Sequence, residues 1–188
     1  MAYAVIYDAC VLHDPALRDL LIRLATKRQL NLRAQWSEEI LDEMVRSILE
    51  RRPDLDPVLL ARTKELMIES VPDCLVTGYE PLVGSLVLPA PKDRHILAAA
   101  IKAQAQTIVT SNLKDFPAEA LAPHHIEALH PDEFVIGLID LNEAVVVATF
   151  SELVADLKKP PSTVAEALDG FRRRGMSRTA DSLAAVLL

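Results

Sequence analysis

Short apolar runs that each lead into a stretch of helical periodicity recur through the first two-thirds of the chain, and this pattern limits the fold more than any other feature. A strand followed by an amphipathic helix, repeated, buries both its elements only as parallel β-α-β units, so the expected class is α/β with a parallel sheet. The first strand candidate is Ala4 to Tyr7, which stops at Asp8. Leu17, Leu20, Leu21 and Leu24 then recur at helical spacing behind Asp14-Pro15, a favourable helix start because proline gives up an N–H that has no partner there. Asn31 to Ala34 is a second short strand candidate. Ser37 is placed to cap a helix over Glu38 to Arg51, with Glu38 and Glu39 matching its dipole and Ile40, Leu41, Met44, Val45, Ile48 and Leu49 forming its apolar face.

A further helix is expected over Val58 to Ser70, between Pro57 and Pro72. Pro81, Gly84 and Pro89 punctuate Cys74 to Pro91, which reads as loop and short extended pieces. Asp93 opens a helix through Ile96, Leu97, Ala100 and Ile101, followed by a strand at Thr107 to Thr110 and a turn at Ser111-Asn112-Leu113-Lys114-Asp115. His125 to Leu129 is the last strand candidate. From Pro131 the pattern is helical, with a break at Lys159-Pro160-Pro161-Ser162 and a final stretch holding Arg172, Arg173, Arg174 and Arg178. The expected organisation is one α/β unit over residues 1–137 and a helical extension over residues 138–188. A chain of 188 residues, 51% of them hydrophobic, has material for one good core and an appendage rather than for two full domains.

In a parallel sheet, ligands gather beyond the carboxyl ends of the strands, so polar residues just after buried strands are the first to inspect. Asp8 and the turn from Thr110 to Asp115 stand in such places, Asp93 begins the helix leading into the second of those strands, and Glu43 lies on the helix after Asn31 to Ala34. Singly, each acid has an ordinary use: Asp8, Asp93 and Asp115 as turn or helix caps, Glu43 as a solvated helix charge. As a set, they are placed to converge at one edge of the sheet. Clustered carboxylates repel one another unless a cation neutralises them, and hard oxygen donors without a histidine or cysteine set select Mg²⁺ or Mn²⁺ over zinc. Such an ion suits phosphodiester hydrolysis.

Taken in order, four segments resemble the PIN-domain family, most closely its VapC-type toxins. They are Val5-Ile6-Tyr7-Asp8-Ala9-Cys10-Val11-Leu12, Ser37-Glu38-Glu39-Ile40-Leu41-Asp42-Glu43, Asp93-Arg94-His95-Ile96-Leu97-Ala98-Ala99-Ala100 and Val109-Thr110-Ser111-Asn112-Leu113-Lys114-Asp115-Phe116. The resemblance spans residues 3 to 130 and implies a parallel sheet flanked by helices on both faces. It also implies an endoribonuclease using Mg²⁺ or Mn²⁺ on single-stranded or looped RNA, as the toxin of a bacterial toxin–antitoxin pair. On its motif positions Asp8, Glu43 and Asp93 are the core acids. Family members often carry an acid where this chain has Asn112, and Asp115 is then the fourth carboxylate, joining Asp8 and Asp93 as metal ligands. Thr110, Ser111 and Asn112, with Arg94 and Lys114, are the expected substrate-side groups. A cognate antitoxin and a homodimer are the implied partners.

Charge and composition set bounds on this reading. A net charge of −7 argues against nucleic-acid binding over the whole surface but leaves room for a local basic group. The longest apolar runs, Phe134 to Ile139 and Ala144 to Phe150, fall short of the ~18 residues of a membrane span. The N-terminus lacks the basic region of a secretory signal, and Cys10 and Cys74 form no disulfide framework, so a soluble cytoplasmic protein is expected. No G-x-G-x-x-G or G-x-x-x-x-G-K-[ST] loop is present to hold a phosphorylated small molecule. The competing expectations are a PIN-like module that binds RNA or protein without cutting, for which Asn112 speaks, and a DNA nuclease of the wider fold.

Overall fold

The computed structural model describes residues 2–158 and 160–188; Lys159, within the expected helix break, lies outside the described residues. Four parallel strands form one sheet: β1 (Tyr3–Tyr7), β2 (Leu32–Gln35), β3 (Thr107–Val109) and β4 (Glu127–Leu129), in the order β2-β1-β3-β4. All of Ala4 to Tyr7 is buried. Alternate side chains of a strand point to opposite faces, so both faces of β1 are covered, as a parallel sheet requires. β1 and β3 stand side by side in the middle, with Ile6 paired to Ile108 and Tyr7 to Val109. The ladder continues one residue past each strand, where the Asp8 N–H donates to the Val109 carbonyl (3.1 Å) and the Thr110 N–H to Leu129 (2.9 Å). Asp8 and Thr110 thus leave the sheet as neighbours.

The helices begin where the local chemistry places them. After the short α1 (Ala9–Leu12), α2 (Pro15–Ala25) has Pro15 in its first turn and Asp14 as its cap, the carboxylate accepting from the N–H groups of Ala16 and Leu17 at 3.0 and 3.1 Å. α3 (Glu38–Arg51) is capped by Ser37, whose hydroxyl accepts from the Ile40 N–H at 3.2 Å, and buries Ile40, Leu41, Met44 and Ile48. α4 (Pro57–Ser70) follows an Asp56 cap. The segment beyond it holds a short extended piece, as expected, and a helical turn that was not. Trp36 donates to the Cys74 carbonyl and accepts from the Val76 N–H, a one-residue parallel bridge centred on Leu75, and α5 (Glu80–Val83) follows.

α6 (Arg94–Ala103) leaves a 3-10 turn at Pro91–Asp93 and packs on β1 and β3; α7 (Ala118–Leu121) leads to β4. α8 (Pro131–Asp156) crosses behind the sheet against α2 and is followed by α9 (Val164–Arg173) and α10 (Ser177–Leu187). The expected boundary at residue 137 falls inside α8, whose one non-helical residue is Asn142. α8 is long and apolar enough to cross a membrane by length and composition, with mean hydropathy 1.7 in its best window. Reading its two apolar runs separately hid this, because Asp140-Leu141-Asn142-Glu143 divides them. In the fold one side of that helix faces inward: Phe134, Val135, Leu138, Val146, Phe150 and Leu153 are buried while Leu141 is exposed, and Phe150 meets Phe171 of α9 edge to face at 5.4 Å between ring centres.

Polar contacts join the extension to the rest, among them the ion pairs of Arg23 with Asp156 and of Lys27 with Glu152. The Asp132 carboxylate accepts from the N–H groups of Arg178 and Thr179 at 3.1 and 2.8 Å, capping the start of α10 from a distance in sequence. Arg174 donates to Asp14, the cap of α2, at 2.8 Å. Gly175, between α9 and α10, sits at φ +81°, a conformation that glycine adopts without strain. Half of the basic stretch is used inside the chain, since Arg172 pairs with Asp169 and Asp181 while Arg174 pairs with Asp14.

Candidate active site

Asp8 leaves β1 at the start of α1, yet its side chain caps no helix N–H. Its Oδ2 instead accepts from the Thr110 hydroxyl at 2.7 Å and the Cys10 thiol at 3.1 Å. Thr110 is fully buried at the end of β3, and its hydroxyl also accepts from the Asn112 N–H at 3.0 Å. With its proton on Asp8, that hydroxyl holds the carboxylate in place. The Cys10 sulfur accepts from the exposed Ser111 N–H at 3.2 Å, and burial pushes its thiol up to about 12, so it stands in the site as a neutral donor.

Asp93 ends the 3-10 turn before α6 and stands at its N-cap position, again with no side-chain bond to a helix N–H. It is buried, and its Oδ2 meets no hydrogen-bond donor. Burial raises its pKa first; Lys92 opposes the rise, and the charges of Asp8, Asp115 and Glu43 add to it. The four acids singled out by their sequence positions therefore share one electrostatic neighbourhood. Glu43, on α3, is partly buried and faces the Nε2 of His95 at 3.2 Å. His95 is the main cause of its lowered pKa, ahead of the opposing effect of burial, with Arg46 and Lys92 assisting.

Asp8, Glu43, Asp93 and Asn112 line a cleft of about 350 Å³ beyond the carboxyl edge of the sheet. Asp115, at the end of a 3-10 turn (Leu113–Asp115), stands outside the lining and reaches Asp93 through its charge; Pro117, not Asp115, is the cap of α7. Arg94 and Lys114 do not line the cleft either. The Arg94 Nε is buried without a partner, and Lys114 is exposed. The cations of the cleft are Lys92, Arg46 and Arg51, the last in contact with His13. Arg94 and Lys114 are near the acids along the chain rather than across the cleft. Helical spacing gives a better signal, since Arg46 lies three residues from Glu43, one turn along the same face.

The donor set is one of hard oxygens around an open cleft, with an unsatisfied Asp93 oxygen pointing to a missing positive charge. Among the described residues no three histidine, cysteine, aspartate or glutamate side chains close into a ready-made ligand cage.

The comparisons with known proteins agree with this geometry. A family model described as "VapC50 C-terminal domain" matches residues 131–185, from the first residue of α8 to near the end of α10. The chain is similar to "Putative ribonuclease VapC50" of Mycobacterium tuberculosis (strain ATCC 25618 / H37Rv), with 42% identity over 106 residues, 54% of this chain and 62% of that protein. It thus spans less than two-thirds of that relative's length. No solved structure matches the chain. A model described as "PIN domain" matches residues 4–114, well over half of the 188 residues and all four acids but Asp115, so the chain belongs to the PIN-domain family.

Proposed function

We propose that the chain is a divalent-cation-dependent endoribonuclease and the toxin of a toxin–antitoxin pair. The observation that carries this reading is the convergence of Asp8, Glu43 and Asp93, from three separate segments, on one cleft where Asp93 keeps an unsatisfied oxygen. In this reading Asp8, Asp93 and Asp115 hold Mg²⁺ or Mn²⁺, which when bound makes water a stronger nucleophile and stabilises the leaving oxygen. Thr110 holds the Asp8 carboxylate in its orientation. Glu43, held ionised beside His95, orients the attacking water and accepts its proton at a carboxylate oxygen. The water oxygen bonds to phosphorus, the P–O bond to the leaving ribose oxygen breaks, and that oxygen takes up a proton.

Lys92, Arg46 and Arg51 draw the RNA phosphates into the cleft, supplying the local basic group that net charge leaves room for. Asn112 at the lining and the exposed Ser111 beside it face the substrate, with Arg94 and Lys114 on the flanks. The relative's name includes "ribonuclease", which favours RNA over DNA. An antitoxin covers the acidic cleft, the toxin pairs with a second copy, and both work in the cytoplasm, where the free thiols of Cys10 and Cys74 stay reduced.

One observation favours a non-cutting, binding module instead: Asn112 lines the cleft while Asp115 does not. Antitoxin-free protein incubated with structured RNAs and matching DNAs, in Mg²⁺, Mn²⁺ or EDTA, separates the two. Cleavage that requires metal and disappears in Asp8→Asn and Asp93→Asn supports the nuclease. RNA left intact in every condition, with no thermal stabilisation by Mn²⁺, supports the binding module.

A further inference from the structure

His95 is an imidazole in the interior that touches neither the attacking water nor the phosphate in the steps above. It lies on the first turn of α6, 3% exposed, two residues from Asp93. Neither ring nitrogen has a well-aligned hydrogen bond, but each faces a carboxylate of α3: Nε2 stands 3.2 Å from Glu43 and Nδ1 3.7 Å from Glu39. Glu39 is held from its other side by the Tyr79 hydroxyl, which donates to the same Oε2 at 3.1 Å. Glu39 and Glu43 are four residues apart and so lie on one face of α3, and the imidazole sits between that face and α6. The ring thereby stands between α3, which carries Glu43, and α6, which follows directly on Asp93. A buried polar ring is costly unless its nitrogens are used, which makes an inert filling role a poor account of a histidine here.

We propose that His95 is a positioning residue for the reaction: its Nε2–H holds the Glu43 carboxylate at the cleft, while the Nδ1 side, with Glu39 and Tyr79, fixes the plane of the ring. This rests on the nuclease reading for its effect on rate, but not for its effect on Glu43. Two substitutions separate the two arms, because the glutamine amide nitrogen stands near the place of Nε2 and that of asparagine near Nδ1. Partners that orient reactive carboxylates typically matter by about 10–100-fold. Single-turnover RNA cleavage is therefore expected to fall by about 10–100-fold in His95→Asn and His95→Leu and to stay near wild type in His95→Gln. In the Glu43→Gln background, His95→Leu should cost nothing more.

A carboxyl-carbon NMR titration of Glu43 gives a readout independent of cleavage: its midpoint moves up in His95→Leu and His95→Asn and stays in place in His95→Gln. Equal losses in the glutamine and asparagine variants, losses that multiply with Glu43→Gln, or an unmoved Glu43 midpoint in His95→Leu would each overturn the proposal. If the wild-type chain cuts no RNA, the nuclease reading falls, and the Glu43 titration alone decides the role of His95.

Discussion

Asp93 combines burial, three acidic neighbours and an oxygen with no donor, and the sum of these is a carboxyl whose charge the fold resists. Its folded pKa lies above the ordinary 3.8, so folding takes up a proton in the interval between the two values. Stability without metal therefore falls as pH rises through that interval, and the charged form is a liability at neutral pH. Asp93→Asn should be more stable than wild type at pH 7 in EDTA by about 1 kcal/mol, the scale of one close, solvent-screened like-charge contact. The advantage should shrink on acidification toward the unfolded pKa; urea unfolding at the two pH values measures it, and a constant advantage would contradict the cause given. Thr110 is the opposite case, a buried donor fully used on Asp8. Thr110→Val keeps the shape and removes the hydroxyl, and we expect a loss of about 1 kcal/mol together with slower cleavage, both largely restored in Thr110→Ser. Asp8 was legible in the sequence because a strand end announces it, and Asp93 because it opens a helical pattern, whereas His95 stands between Arg94 and the apolar run Ile96-Leu97-Ala98-Ala99-Ala100 with nothing local to single it out, and its partners lie more than fifty residues away in the chain.

At the scale of elements, periodicity and caps were enough for α2, α3, α4 and α6 and for all four strands to within a residue or two. Ser37, Asp14 and Asp56 each do what a capping residue is expected to do. Asp8 and Asp93 occupy cap positions without using their side chains there, and that departure is itself the sign of another task. What local sequence did not show was pairing made by a single residue, such as Trp36 with Leu75, because nothing in a three-residue stretch encodes a partner brought from elsewhere. The start of α10 belongs to the same kind. Its N–H groups are served by Asp132, forty-six residues from Arg178. Asp132→Ala leaves those groups without their acceptor and should cost about 1–3 kcal/mol. Hydrogen exchange should show the protection of Arg178 and Thr179 lost first; unchanged exchange at those amides would mean that the carboxylate is dispensable.

At the scale of the whole molecule, the PIN-like unit and the helical extension share a hydrophobic core, since α8 packs against α2 on one side and α10 on another. The chain is therefore expected to unfold in a single transition. Phe171→Ala, which empties the contact with Phe150, should lower stability by about 3–5 kcal/mol and shift that one transition without splitting it. Calorimetry showing an early, separate step would instead make the extension an independent unit. Asp14 gives this continuity a direction. Its carboxylate seats the first turn of α2 and also receives Arg174, while the neighbouring His13 belongs to the cleft wall. One side chain is thus the fulcrum of a lever: any force that draws α9 away from α2 unlatches Arg174 and loosens the helix start one residue from the cleft, giving the far end of the molecule a mechanical hold on the near one.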